Sequence, residues 1–143
     1  MVIQTTISQT PSKIPPPQMP SILHKLKDTY FLWFTYYNKL PKEHRFTLGQ
    51  RIDDIFISTI SAVATASFTP KQDKPPAIAQ AIRHLDVIRV LLMVLWETGS
   101  LFEPYYIALS KKVEVVGRML GGWQLNIQSL NKNSPSVLSP EET

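Results

Sequence analysis

The chain has 143 residues, 43% of them hydrophobic and 18% charged, with no cysteine and a net charge of +4. That length supplies one domain with a single core. The lack of cysteine excludes disulfide scaffolds, Cys-ligated zinc and thiol nucleophiles, and it is compatible with a reducing cytosol. The basic balance, with a sequence pI near 9.4, suits a nucleic-acid or acidic-protein partner. The longest apolar run, Val90 to Trp96, is bounded by Arg89 and Glu97 and falls far short of the roughly 20 residues a membrane span needs. The first twenty residues are polar and proline-rich rather than apolar, so no secretory signal is read there. A soluble, cytoplasmic protein with no membrane partner is expected.

Met1 to Pro20 carries Pro11, Pro15, Pro16, Pro17 and Pro20 among Ser, Thr and Gln. Prolines remove backbone donors and favour polyproline II, which predicts a flexible or extended tail, with a PxxP-type ligand as the alternative. A first helix is predicted from Ser21, as its cap, to Lys39, with Leu23, Leu26, Tyr30, Trp33, Tyr37 and Leu40 at three–four spacing. Phe31, Phe34 and Tyr36 widen that stripe, so this helix is either deeply buried or touches a second protein. Pro41 ends it.

Leu40 to Asp54 reads LPKEHRFTLGQRIDD, a basic corner of Lys39, Lys42, Arg45 and Arg51 opposed early only by Glu43. Thr47 with Gln50 matches a capping box. The second helix then buries Ile52, Phe56, Thr59, Val63 and Ala66, with Ile55 and Ile60 alongside, and fades at Thr69–Pro70. After a short polar loop a third helix starts at Pro75 or Pro76, where proline suits the first turn. It runs to Thr98 and stops at Gly99, along a seam of Ile78, Ala81, Leu85, Ile88, Leu92 and Leu95. Asp86 lies three residues from both Arg83 and Arg89 and can pair with either.

The last helix begins around Phe102 to Pro104. Phe102, Tyr106, Leu109, Val113, Val116, Leu120, Trp123, Ile127 and Leu130 form a heptad stripe. Gly117 and Gly121 sit one turn apart within it, although each helical glycine costs about 1 kcal/mol relative to alanine. They read, with Trp123, as close-packing or assembly positions. Residues after Leu130 turn to Asn, Ser, Pro and Glu, a flexible C-terminal tail. Four amphipathic helices on short connections predict an all-α, up-down-up-down antiparallel four-helix bundle over residues 21–130.

Catalysis finds little support. His24, His44 and His84 form no HExxH pattern and no metal-ligand spacing with carboxylates. The Glu-x-x-His pairs of di-metal bundles are missing, and no phosphate loop or nucleophile elbow is present. The expectation is a non-enzyme without cofactor or metal. The cations are the better lead. Arg118 lies a heptad after Lys111, with Lys112 adjacent and Glu114 between them. Arg offers a planar fork for phosphate or carboxylate, and the stem of Arg89 should be buried with its head aimed at a partner or an acid.

Two segments, LPKEHRFTLGQRI (Leu40 to Ile52) and VGRMLGGW (Val116 to Trp123), resemble the Avd family, the accessory variability determinant proteins of diversity-generating retroelements. IRHLDVIRVLLMVLWETGSL (Ile82 to Leu101) looks like that family's third helix. Two positions depart: Met93 stands where the family often has a second Arg, and Val115 where it often has an acid. The resemblance implies a four-helix protomer assembling as a homopentameric ring. It also implies binding to the retroelement's reverse transcriptase and template RNA, and possibly DNA, in support of mutagenic cDNA synthesis. Carried over by position, Lys42, His44, Arg45, Arg51, Arg89 and Arg118 match family residues; with Arg83, Lys111 and Lys112 they are the candidates for partner or nucleic-acid contact. A competing bundle family encoded within ribosomal RNA intervening sequences shares the Pro-Lys-Glu-x-Arg-Phe flavour. It expects a Ser-Ile-Pro-x-Asn-Ile-type segment in the second helix, where this chain reads ISTISAVATASF.

Overall fold

The computed structural model describes residues 20–132. The proline-rich stretch before Pro20 and the tail after Lys132, both expected to be flexible, lie outside the described residues. Within them every element is helical: α1 (Ser21–Tyr37), α2 (Lys42–Arg45), α3 (Leu48–Ser67), a 3-10 turn (Lys71–Asp73), α4 (Pro75–Glu97) and α5 (Glu103–Lys132). The four long helices form a closed ring of packed pairs, α1 with α3, α3 with α4, α4 with α5, and α5 back with α1, and α3 with α4 is the most extensive.

The three–four seams explain the packing. All six predicted seam residues of α4 are buried, as are Ile52, Phe56, Thr59, Val63 and Ala66 of α3. Trp33 of α1 is fully enclosed and stacks on Phe56, with ring centroids 5.9 Å apart. Burying each such side chain contributes roughly 1.5–3 kcal/mol. Among the described residues Thr29 and Thr59 are the buried polar ones. Each donates its hydroxyl to the carbonyl four residues back, Lys25 O at 2.8 Å and Ile55 O at 2.7 Å, so neither leaves an unpaired donor in the core. In α5 the seam residues Leu109, Val113, Val116, Leu120 and Ile127 are buried and Trp123 is half-buried, whereas its predicted ends, Phe102 and Leu130, are exposed. The wide aromatic face of α1 resolves into two classes: Trp33 inside, and Phe31 and Phe34 outside at 57% and 51% exposure.

Helix ends account for most differences from the sequence reading. Ser21 is the first residue of α1 and not its cap; Pro20 holds that position in extended backbone. The Thr47–Gln50 capping box does not form. Thr47 stands at the cap position without a side-chain cap bond and donates instead to Glu43 O at 3.1 Å. That choice follows from α2, an unforeseen helical turn whose last carbonyls lie within reach of the Thr47 hydroxyl. The α4 terminus is as expected: Gly99 takes φ +85°, Gly99 N–H bonds Trp96 O at 3.0 Å, and Ser100 N–H bonds Leu95 O at 2.9 Å, a Schellman closure. At the other end of the α3–α4 connection, Lys74 Nζ donates to Ala66 O at 2.6 Å, placing a cation on the carbonyl end of α3. The final helix continues to Lys132, two residues past the predicted bundle limit.

Candidate nucleic-acid and partner interface

The basic corner is mostly architecture. Arg45 donates from Nη2 to Leu40 O at 2.9 Å, its guanidinium stands over Phe46, and its Nε is buried without a partner among the described residues. His44 Nδ1 lies 2.6 Å from Ser100 Oγ, a contact that ties α2 to the α4–α5 connection. Gly49 is also required there. A Cβ at Gly49 would stand 2.8 Å from a Leu40 methyl, 2.9 Å from the His44 carbonyl oxygen and 3.0 Å from the Tyr37 ring. In LPKEHRFTLGQRI, then, Leu40, His44, Arg45, Gly49 and Ile52 build the corner, while Lys42 and Arg51 are exposed and free of ion pairs among the described residues. Those two remain available to a ligand; His44 and Arg45 are already engaged.

The second group of cations lies on α5 and its two neighbours. Lys111 and Lys112 share with Lys25 of α1 a cleft of about 160 Å³ that is completed by Thr29 and Val115. Among the described residues no acid lines it, so three lysines border one narrow surface, an arrangement that attracts phosphate or carboxylate. On the other flank of α5, Arg89 of α4 pairs with Asp86 at 3.5 Å, the partner chosen over Arg83. Its guanidinium lies across the α5 backbone, where a Cβ on Gly117 would clash with Nη2. That is why position 117 is glycine: the planar fork needs the bare helix surface. Arg89 also walls a groove of about 370 Å³ with Met93, Tyr106, Ser110 and Glu114. Met93 thus supplies an apolar wall of that groove. Between the two flanks, Arg118 pairs with Glu114 at 3.0 Å, with both side chains about two-thirds exposed. Exposed i,i+4 pairs contribute only about 0.3–0.5 kcal/mol, so Arg118 can exchange Glu114 for an incoming anion at little cost.

Arg83 stands apart from both groups, exposed on α4. Val87, Val90 and Val94 follow it at helical spacing on the face opposite the seam, and all three are exposed. Gly121 corrects the sequence reading: a Cβ there meets nothing within 4 Å, so no packing within the protomer uses its missing side chain. Trp123 is half-buried and packs against the main core and against a smaller group of Ala66, Ile78 and Ile127, with Lys74 Nζ 5.7 Å from its ring centroid.

Three contributors escaped the sequence. Lys25 joins the α5 lysines only because α1 packs on α5. Gly49 sat in a quoted motif but carried no periodic signal. Asp53 is the third: its Oδ1 accepts from Tyr30 Oη at 2.8 Å and from Trp33 Nε1 at 3.1 Å, joining α1 to α3. Burial, and then that hydrogen bond, pushes the Tyr30 phenol up from 10.0 to about 12. Among the described residues no cluster of His, Asp and Glu has metal-ligating composition, and no helix is long and apolar enough to cross a membrane. Neither a protein-family model nor a curated protein matches this sequence.

Proposed function

We propose that this protein is a non-catalytic accessory factor of a diversity-generating retroelement, of the Avd type, that binds template RNA and the reverse transcriptase in the cytoplasm. The observation that carries the reading is the cationic face of α5 with its flanks: Lys25, Lys111 and Lys112 in one cleft, Arg89 and Arg118 beside the other groove. Of these residues Arg118 lies within VGRMLGGW, one of the two segments on which the family resemblance rests, and Arg89 lies over its Gly117. In this reading the helices run up-down-up-down, supported by contacts of Trp96 with Tyr106, Arg89 with Gly117 and Lys74 with Trp123. Protomers close into a homopentameric ring without cofactor or metal.

The deciding experiment is RNA binding by the full chain across a salt series, with a pull-down of the reverse transcriptase. Each neutralised phosphate adds about 0.7–0.9 to the slope of log affinity against log salt. Lys111→Glu with Lys112→Glu should therefore lower that slope by roughly 1.5 units and leave the helical circular dichroism unchanged. A wild-type protein that binds RNA independently of salt and captures no reverse transcriptase rules the reading out.

A second reading rests on a different observation, the exposed apolar groups Phe31 and Phe34 on α1 and Val87, Val90 and Val94 on α4. It makes the chain a protein-interaction bundle of the intervening-sequence type, with solvated lysines and no nucleic-acid role. In that case Val90→Asp and Phe34→Asp abolish association with the partner, and the lysine variants change nothing.

A further inference from the structure

We propose that the proline-rich segment Ile14–Met19 docks in cis on the Trp123 groove of its own chain. The groove, of about 350 Å³, is lined by Pro20, Ser21 and Ile22 where the described chain begins, and by Met119, Gly122, Trp123 and Asn126 of α5. Three observations select this occupant.

The first is position. Pro20, the residue that follows the segment, is itself a wall of the groove, so the tether between segment and groove is short. The second is length and conformation. Pro15, Pro16 and Pro17 favour polyproline II, in which the six residues of Ile14–Met19 extend about 19 Å, enough to cover the roughly 10 Å of α5 from Met119 to Asn126. Tethering to Pro20 also makes the encounter intramolecular. The third is chemistry. The groove offers an indole, a thioether, a bare helix backbone and one side-chain amide, and among the described residues no ionisable side chain lines it. The segment IPPPQM is likewise uncharged. Aromatic-lined grooves are the usual platform for polyproline segments.

The glycine doublet acquires a reason on this reading. A Cβ at Gly122 meets nothing within 4 Å, so nothing inside the bundle demands glycine there. A pyrrolidine ring laid against α5 beside Trp123 does demand it, because a side chain at 122 would fill the seat.

The test is isotope-edited NMR on the full chain. Nuclear Overhauser contacts are expected from the Pro16 and Pro17 ring protons to the Trp123 indole, with restricted backbone motion at Gln18 and Met19. Gly122→Gln should erase those contacts and leave the Trp33 indole shift unmoved, the sign of an intact core. Replacing Pro15, Pro16 and Pro17 by Gly should release the segment in the same way. The proposal fails if wild-type protein shows no such contacts. It fails equally if a sample mixing labelled and unlabelled chains shows them only between chains, which would make the occupant a second copy.

Discussion

At the scale of single residues, the glycines and one carboxylate separate what builds the fold from what remains free. Gly49 is enclosed by Leu40, the His44 carbonyl and Tyr37, so Gly49→Ala should overpack the corner and lower stability by about 1–3 kcal/mol in urea denaturation. Gly121→Ala should do the reverse and stabilise by up to about 1 kcal/mol, since the site is open and alanine is the better helix former. Gly117 behaves differently from both. Alanine there would clash only with the mobile end of Arg89 and make ordinary contact with Leu85, so the fold survives and the guanidinium is displaced; under the proposed function RNA affinity falls with little change in melting temperature. Asp53 holds two donors on one oxygen. Asp53→Ala leaves the Tyr30 hydroxyl and the Trp33 indole N–H without their acceptor, which should cost about 1–3 kcal/mol. The same node makes a pH prediction. The folded Tyr30 phenol titrates near 12, above its ordinary 10.0, so the stability it contributes is complete below pH 10 and is lost as pH rises through 12. Tyrosinate absorbance in an alkaline titration should show one phenol lagging the others, and Asp53→Asn should shrink the lag.

At the scale of elements, periodicity decided burial and local chemistry failed at the caps. The α4 seam was readable in full because six apolar residues at three–four spacing leave a helix only one way to face the core. The capping box in Thr47–Gln50 was legible but wrong, because a four-residue helix just upstream offers the Thr47 hydroxyl a nearer acceptor. Gln50→Ala should therefore leave stability within about 0.5 kcal/mol of wild type, as for a surface position away from caps and cores. Leu85→Ala, at the α4–α5 crossing over Gly117, should cost about 2–5 kcal/mol. Comparing the two by thermal melts tests whether seam or cap holds these helices.

At the scale of the whole molecule, the ring of helix pairs converts scattered cations into two groups. The α5 group gathers Lys25 from α1, Lys111, Lys112 and Arg118 from α5, and Arg89 from α4. The corner group keeps Lys39, Lys42 and Arg51 exposed and without ion pairs among the described residues. Under the proposed function, charge reversal at Lys25 should weaken RNA binding about as much as reversal at Lys111, although 86 positions separate the two in the chain. Charge reversal at Arg45 should instead lower the melting temperature, because its guanidinium is already bonded inside the corner. Native mass spectrometry of wild type and Val90→Asp would establish whether the valine face of α4 joins protomers. A five-fold mass that survives the substitution removes that face from the assembly.

The sequence alone determined the helices, their seams and the class of fold, because hydrophobic spacing and proline or glycine stops act within one element and need no partner to be read. It also marked the cations, but not which of them were available. His44, Arg45 and Arg89 look alike in a motif; only packing shows that the first two are bonded within the corner, while Arg89 keeps donors free over a bare glycine. The grouping of Lys25 with Lys111, the enclosure of Gly49 and the Asp53 node depend on which helices lie side by side. That choice is made by the summed fit of all four seams rather than by any residue in the motifs.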